Sequence, residues 1–196
     1  MEKRQSEIVR KTNETDITVK MNLGGAGTYD IDTGVGFLDH MLELLARHAR
    51  LDLEVSASGD LETGAHHTTE DVGIVLGQAL DRALADRSGI ARFGDATVPM
   101  DEALATCAID ISGRPLCSFE AALPTASIAG FDVELAEEFF RAVANNAKLT
   151  LHLRVSSGSN AHHMIEACFK AFARALRGAT ARDDSESGVP STKGLL

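Results

Sequence analysis

The chain has 196 residues and a formal net charge of −10, from 19 Lys and Arg against 29 Asp and Glu. Hydrophobic residues make up 44% and charged residues 24%, values that predict a folded chain with a substantial core and exclude wholesale disorder. The acidic balance excludes nucleic acid as a general partner. No apolar stretch reaches the roughly 18 residues of a membrane span. Three scattered cysteines without a CxxC pair predict a cytoplasmic protein with reduced thiols.

The first half of the chain alternates strand-like and helix-like segments. Apolar and polar residues alternate near 6–10, 15–21, 28–32 and 51–56, which predicts four strands. Apolar residues recur at helical spacing over 36–47 and from 66 to about 85, which predicts two helices. The glycine-rich segment 24–27 lacks the third glycine of a phosphate-binding fingerprint, so we interpret it as a hairpin turn.

The second half repeats this order of segments. The patterns predict strands near 96–99, 103–111, 116–121 and 149–155, and helices over 131–146 and 162–177. Two short matches support a duplication, because 51–59 resembles 149–158 and 66–70 resembles 162–166. We therefore predict an α+β chain of two packed repeats, about 1–90 and 91–181, followed by a polar tail over 182–196.

A short motif, HHxxE, begins two of the predicted helices. It reads His66-His67-Thr68-Thr69-Glu70 in the first half and His162-His163-Met164-Ile165-Glu166 in the second. Adjacent residues on a helix point about 100° apart, so the two imidazoles of one motif face different directions. A Glu three or four residues later shares a face with one of them. Each motif therefore offers metal ligands in two directions, and the two motifs together can hold two metal ions.

Two further histidines extend this set of ligands. His40 lies on the helix before the first motif and His152 on the strand before the second, which brings the set to six imidazoles and two carboxylates. Imidazole and carboxylate ligands without thiolate suit Mn, Fe, Co or Zn, and about four protein ligands per ion leave open positions that favour Mn²⁺. His48 has no counterpart among the motifs, and we interpret it as structural.

Several cations stand in contexts that suit an anionic substrate. Arg92 lies two residues before Gly94, and Arg114 directly follows Gly113. Lys170 follows Glu166 by one helical turn, and Lys193 lies in the tail segment PSTKG. Arginine binds phosphate in a bidentate manner, and lysine acts as a point charge. An acidic chain that binds a phosphorylated substrate needs such cations in one place.

Taken together, the motifs resemble those of the imidazoleglycerol-phosphate dehydratase family. The segments that carry the resemblance run in order through nearly the whole chain and are 33–42, 66–71, 98–103, 112–115, 162–166 and 190–194. The resemblance implies internally duplicated, βαβ-rich half-domains (ribosomal protein S5 domain 2-like), with two sheets and helices packed between them. It implies the monofunctional form, since the chain has no separate phosphatase domain.

The resemblance also implies an activity and an assembly. The family removes water from D-erythro-imidazoleglycerol phosphate to give imidazoleacetol phosphate in histidine biosynthesis, through an imidazolate bound to two metal ions. Its members form particles of twenty-four subunits, with active sites between subunits that hold two Mn²⁺ ions. The chain is therefore expected to be a hydro-lyase that acts on a small phosphorylated imidazole.

Individual residues take roles from the same resemblance. One ion would be held by His66, His152, His162 and Glu166, and the other by His40, His67, Glu70 and His163. The substrate phosphate would be held by Arg92, Arg114, Lys170, Ser191 and Lys193, and Glu14 would act in proton transfer. The family often has Gln where this chain has Leu44.

Two other functions compete with this interpretation. A binuclear phosphoester hydrolase usually relies on more Asp ligands and a bridging hydroxide, whereas imidazoles outnumber carboxylates six to two in this set. A metal-storage protein explains the histidines but neither the cations near glycines nor the PSTKG tail. Metal-dependent loss of water from imidazoleglycerol phosphate would separate all three.

Overall fold

The computed structural model describes residues 4–186 and 188–196, and its first sheet is formed by the first half of the chain. The four strands are β1 (Gln5–Lys11), β2 (Thr15–Asn22), β3 (Tyr29–Asp32) and β4 (Asp52–Gly59), in the order β1-β2-β4-β3. β2 pairs antiparallel with β1 and β4, whereas β3 pairs parallel with β4. Alternate residues such as Ile17, Val19 and Met21 are buried, so one face of the sheet packs on the core.

The second sheet repeats this topology. Its strands are β5 (Phe93–Met100), β6 (Ala103–Asp110), β7 (Leu116–Glu120) and β10 (Thr150–Ser157), in the order β5-β6-β10-β7. β6 pairs antiparallel with β5 and β10, and β7 pairs parallel with β10. The predicted fold class of two sheets with helices between them is confirmed, since each half contributes one such sheet.

Four helices fill the space between the sheets. They are α1 (Gly36–Ala49), α2 (His66–Leu84), α3 (Leu135–Ala147) and α4 (Ala161–Thr180). α1 packs on α4 and α2 packs on α3, so each helix of one half has its main helical neighbour in the other half. α2 covers β1 and β2, and α4 covers β5 and β6. No helix in the described part of the chain combines the length and apolar character needed to cross a membrane.

The helix predicted over 131–146 begins later than the sequence pattern indicates. Residues Ser127–Ile128 (β8) and Phe131–Asp132 (β9) form a small hairpin, and α3 begins only at Leu135. Ala129 and Gly130 close the hairpin with φ values of 50° and 83°. Phe131 is 2% exposed and packs 5.1 Å from the ring of Phe37, so a buried hairpin side chain mimicked the start of an amphipathic helix.

Segment 24–27 forms a turn, but the predicted hairpin is wrong. β3 follows the turn yet pairs parallel with β4, so the chain crosses over the end of β4 instead of returning along β2. Asp52, at the start of β4, accepts hydrogen bonds from the backbone N–H groups of Ala26 and Thr28 at 2.9 and 3.1 Å. A Cβ on Gly25 would lie 2.4 Å from Asp52, so this close approach requires glycine.

Candidate active site

The amino-terminal ends of α1 and α4 bring together three candidate metal ligands. The ligand atoms of His40, His162 and Glu166 all lie within 4.8 Å of one another. Within this group the Nε2 atom of His162 lies 3.2 Å from a carboxylate oxygen of Glu166, one helical turn away, and that of His40 lies 3.7 Å from it. Asn160 caps α4 by accepting the N–H of His162, and Phe37 packs edge-on against the same imidazole.

The carboxylate of Glu166 is buried and paired. Glu166 is 7% exposed, and one of its oxygens lies 2.6 Å from the Nζ atom of Lys170. Burial opposes the charge on this carboxylate, but the hydrogen bond and positive charge of Lys170 outweigh it and lower the pKa of Glu166. The group is therefore an anion at neutral pH, as a metal ligand must be.

The second histidine of the α4 motif points to a different carboxylate. His163 Nδ1 lies 2.8 Å from Glu102, in the turn between β5 and β6. The other oxygen of Glu102 accepts the backbone N–H groups of Asn160 and Ser159 at 2.8 and 3.1 Å. The bond from His163 and these two N–H groups lower the pKa of Glu102 to about 2, and Glu102 in turn raises the pKa of His163.

The motif on α2 has an arrangement of the same kind. His66 Nε2 lies 3.8 Å from Glu70, one turn later, while His67 Nδ1 lies 3.0 and 3.1 Å from the two oxygens of Asp60. The hydrogen bond raises the pKa of His67 and lowers that of Asp60. Glu14, on the turn between β1 and β2, is exposed, and its backbone carbonyl accepts the N–H of Asp60 at 3.1 Å.

A single chain therefore gathers part of the predicted metal set. Among residues 4–186 and 188–196, no other group of three His, Cys, Asp or Glu side chains meets the same 4.8 Å criterion. The predicted ligands outside the group are His66, His67, Glu70, His152 and His163. His152 lies exposed on the outer face of the second sheet, between Ala108 and Ser118 on the neighbouring strands.

Most of the predicted phosphate ligands line a cleft of about 460 Å³ between the β6–β7 turn and the tail. The cleft is lined by Arg92, Ser112, Gly113, Arg114, Ser191, Thr192, Lys193, Leu195 and Leu196. Arg92 donates two hydrogen bonds to Asp110, at 2.7 and 3.1 Å, and one to the carbonyl of Pro190 at 2.8 Å. Arg92 thus ties the tail to β6, while the guanidinium of Arg114 remains mostly exposed.

Lys170 is the predicted phosphate ligand that lies elsewhere. It contacts Glu166 and Met100 near the beginning of α4, whereas the backbone N–H of Arg92 bonds to the carbonyl of Ala179 near the end of that helix. Leu44 is half-buried against the core. A larger cleft, of about 690 Å³, runs along the first sheet beside Tyr29 and contains none of the predicted site residues.

Sequence reasoning assigned no role to three carboxylates of the site, those of Asp60, Glu102 and Asp110. Each stands in or next to a turn, where no periodic pattern marks it. The partners are His67 for Asp60, His163 for Glu102 and Arg92 for Asp110. Only Glu102 had a signal, because it lies in the segment 98–103 that carried the family resemblance.

Comparisons with known proteins agree on one family. The family model described as imidazoleglycerol-phosphate dehydratase matches residues 33–176. The imidazoleglycerol-phosphate dehydratase of Symbiobacterium thermophilum is 61% identical over 98% of this chain and 93% of its own length. The protein of the same name from Acetivibrio thermocellus is 57% identical over 98% of this chain and 99% of its own length.

Solved structures support the same assignment. Imidazoleglycerol-phosphate dehydratase from Staphylococcus aureus is 44% identical, with a TM-score of 0.83 over 91% of this chain and 99% of that one. The enzyme from Pyrococcus furiosus is 39% identical, with a TM-score of 0.84 over 96% of this chain and all of that one. Family match, sequence identity and fold thus coincide over nearly the full length, and the chain belongs to the imidazoleglycerol-phosphate dehydratase family of hydro-lyases in histidine biosynthesis.

Proposed function

We propose that this enzyme dehydrates D-erythro-imidazoleglycerol phosphate to imidazoleacetol phosphate in a reaction that requires two Mn²⁺ ions per active site. The observation that carries the proposal is the group of His40, His162 and Glu166 at the beginning of α1 and α4. Imidazole nitrogen and an anionic carboxylate converge there without a thiolate, which suits a first-row divalent ion with open positions. The three cysteines are free and stand elsewhere in the second half, two of them in the core.

The proposed ligands are the eight side chains of the two HHxxE motifs with His40 and His152. The pairing implied by the family resemblance puts His40 on one ion and His162 with Glu166 on the other. Within this chain the ligand atoms of these three residues lie within 4.8 Å of one another. Bound ions would supply Lewis acidity toward the two ring nitrogens of the substrate imidazole. The chain itself supplies orientation, since packing against Phe37 and the cap from Asn160 fix His162.

The length of α4 supports a site shared between subunits. The histidines stand at its beginning, whereas the cleft with Arg92 adjoins Ala179 at its end. At about 1.5 Å per residue, His162 and Ala179 are roughly 25 Å apart along the helix axis. A ring and a phosphate joined by three carbons cannot bridge that distance. We therefore propose that the metal end of one chain meets the phosphate cleft of another in a homo-oligomer. The family resemblance implies twenty-four subunits for this assembly.

The cleft provides a clamp for the phosphate. Arg114 and Lys193 supply positive charge, and Ser191 supplies a hydroxyl on the same tail segment. Because Arg92 holds the carbonyl of Pro190, the tail is kept beside the β6–β7 turn before substrate arrives. Lys170, at the metal end, would reach the phosphate of a substrate bound between two chains. Such a clamp fixes the reacting carbons relative to the imidazole site.

Glu14 is the proposed base for the C–H bond. Its backbone carbonyl is tied to Asp60, whose side chain holds His67, so the turn that carries Glu14 lies next to the first motif. Its side chain is exposed and can accept a proton from the carbon next to the one that loses the hydroxyl.

The free thiols support a cytoplasmic location for this chemistry.

Metal content measured together with activity tests the proposal. We expect two Mn²⁺ ions per chain, loss of imidazoleacetol phosphate formation after chelation, and recovery when Mn²⁺ is added back. Full activity in thoroughly chelated protein would contradict the metal requirement. Activity that depends on Mn²⁺ in an isolated monomer would contradict the shared site.

A further inference from the structure

We propose that Asp60 and Glu102 are positioning residues that fix the tautomer of His67 and His163, the second histidine of each HHxxE motif. Each carboxylate accepts a hydrogen bond from Nδ1 and so leaves Nε2 unprotonated and available to a metal ion. This inference rests on the metal-dependent function proposed above and names residues that act through the ligands.

The hydrogen-bond chemistry leaves one choice of tautomer. His67 Nδ1 lies 3.0 and 3.1 Å from Asp60, and His163 Nδ1 lies 2.8 Å from Glu102. An ionised carboxylate only accepts, and a neutral imidazole carries one N–H, so that hydrogen must be on Nδ1. The lone pair is then on Nε2. Metal-binding histidines commonly use this arrangement, in which an outer carboxylate orients the ring and raises its basicity.

The two carboxylates come from different places in the two halves. Asp60 follows β4 directly, in the loop before α2, whereas Glu102 lies in the turn between β5 and β6. These positions are not equivalent in the shared topology, so duplication alone does not explain why both reach Nδ1 of the corresponding histidine. The same contact made from two unrelated positions points to a requirement of the site.

Both carboxylates are held by other groups before they meet the imidazole. One oxygen of Asp60 accepts the hydroxyl of Thr63 at 3.2 Å. Glu102 accepts two backbone N–H groups from the loop before α4, those of Ser159 and Asn160. Because each carboxylate is anchored, the imidazole has one orientation available and loses little freedom when it binds an ion.

Replacing Glu102 with Gln separates its effect on the tautomer of His163 from its hydrogen bonds to the loop before α4. The amide oxygen can still accept the N–H groups of Ser159 and Asn160. The amide nitrogen then faces Nδ1 of His163 and can only donate, which favours the tautomer with hydrogen on Nε2. That tautomer cannot bind a metal ion through Nε2. Asp60 presents both of its oxygens to Nδ1 of His67, at 3.0 and 3.1 Å, so an asparagine there would still accept the Nδ1–H. Asp60→Ala is therefore the substitution for this position, because it removes both acceptors.

Calorimetric titration of the chelator-stripped, full-length protein with Mn²⁺ tests the inference. We expect Glu102→Gln and Asp60→Ala each to weaken binding of Mn²⁺ by about 10–100-fold, with the Tm of the metal-free protein unchanged. Asp86→Asn is the matched control, because Asp86 also accepts a backbone N–H and a hydroxyl, both from Ser88, without contacting a histidine. It should bind Mn²⁺ like the wild type.

The outcomes separate this inference from the proposed function. If the wild type binds Mn²⁺ and both variants bind it with the same affinity as the wild type, the positioning role alone is overturned. A wild-type protein that binds no Mn²⁺ would overturn the metal-dependent function and this inference with it. Since Asp60 and Glu102 lie in different loops, a variant whose metal-free Tm falls is set aside and the other decides.

Discussion

The first sheet runs β1-β2-β4-β3 and the second β5-β6-β10-β7, with the same strand directions, so residues of the two halves can be compared by position. Glu54 and His152 occupy equivalent positions, because they are the third residues of β4 and β10. Each of these strands pairs in parallel with the edge strand of its sheet, β3 or β7. Glu54 lies opposite Lys20 and forms an ion pair with it at 2.7 Å. His152 lies opposite Ala108 and has small neighbours on both sides, so the imidazole is free to bind a group from outside the chain.

The helices differ in the same way. α1 and α3 are each followed directly by a residue with φ of 56°, Arg50 and Lys148, which aligns the two helices. In that alignment His40 corresponds to Glu138, which forms an ion pair with Arg141. Each half therefore contributes one proposed metal ligand outside the motifs, His40 or His152, and from a different position. The two halves share one arrangement of strands and helices, and the proposed ligands outside the motifs lie at different positions in it.

Mixed assemblies provide the strongest test of how the halves cooperate. We expect Glu70→Ala and Glu166→Ala each to reduce activity by about 100-fold or more, since each removes a proposed metal ligand. If one site takes the α2 motif from one chain and the α4 motif from another, co-expression of the two variants restores about a quarter of the sites. The measurement is the dehydration rate of doubly tagged, purified assemblies.

Two differently tagged copies of Glu70→Ala serve as the control, and they should remain inactive. Restored activity would show that the first and second halves meet across subunits. Mixed assemblies as inactive as the parent variants would show that both motifs of a working site come from one chain.

The order of strands and helices along the chain could be predicted from the sequence largely because local patterns determine it. Alternation marked most of the strands, and the HHxxE motifs marked the beginning of two helices. The hairpin of Phe131 was missed because a buried aromatic residue has the same signature in a hairpin and in a helix. The parallel pairing of β3 was missed because turn residues show that the chain bends but not which strand it joins.

The candidate site could be predicted as a set of residue types but not as an arrangement. His40 and Glu166 are distant in sequence, and only the packing of α1 on α4 brings them together. Asp60 and Glu102 have no repeat relationship, so aligning the halves could not reveal them. The distance between Lys170 and the cleft at Arg92 depends on the position of α4 relative to β5, which is a property of the whole fold.

Two helical glycines, Gly77 of α2 and Gly178 of α4, differ in the space available for an added methyl group. A Cβ on Gly77 of α2 would lie 2.8 Å from the carbonyl of Val143 and 3.0 Å from the backbone of Ala147, both on α3. We expect Gly77→Ala to destabilise the fold by about 1–2 kcal/mol, or roughly 3–6 °C in Tm, despite the better helix propensity of alanine. Thermal unfolding at fixed protein and metal concentration measures this.

Gly178→Ala on α4 is the matched control for this substitution. Gly178 is exposed, and an added Cβ would meet only Gly94 at 3.6 Å, an ordinary contact distance. We expect its Tm to stay level or rise slightly, because alanine restricts the unfolded chain. Equal Tm changes in the two variants would mean that α2 and α3 are not packed closely enough for Gly77 to matter.

The smallest expected effect concerns the turns that precede the parallel strands β3 and β7, which are held by different side chains in the two halves. Asp52 closes the 24–28 turn of the first half, whereas Thr150, also the first residue of its strand, bonds to Ser112 and the carbonyl of Arg114 in the second. The hydroxyl of Thr28 and two backbone N–H groups lower the pKa of Asp52 from 3.8 to about 2. A carboxyl whose pKa is lower in the folded chain than in the unfolded chain stabilises the fold at pH values above its unfolded-state pKa. This stabilisation is lost as the pH falls through the folded-state pKa.

We therefore expect Asp52→Asn to cost about 1 kcal/mol at pH 7, and the difference from the wild type to shrink below pH 4. Thr150→Val should also cost about 1 kcal/mol, but at every pH, because a hydroxyl does not titrate in this range. The measurement is Tm for all three proteins down to the lowest pH at which each still unfolds cooperatively. A difference for Asp52→Asn that stays constant with pH would mean that the charge of Asp52 does not hold the first turn, and that the two halves close their turns by the same neutral hydrogen bonding.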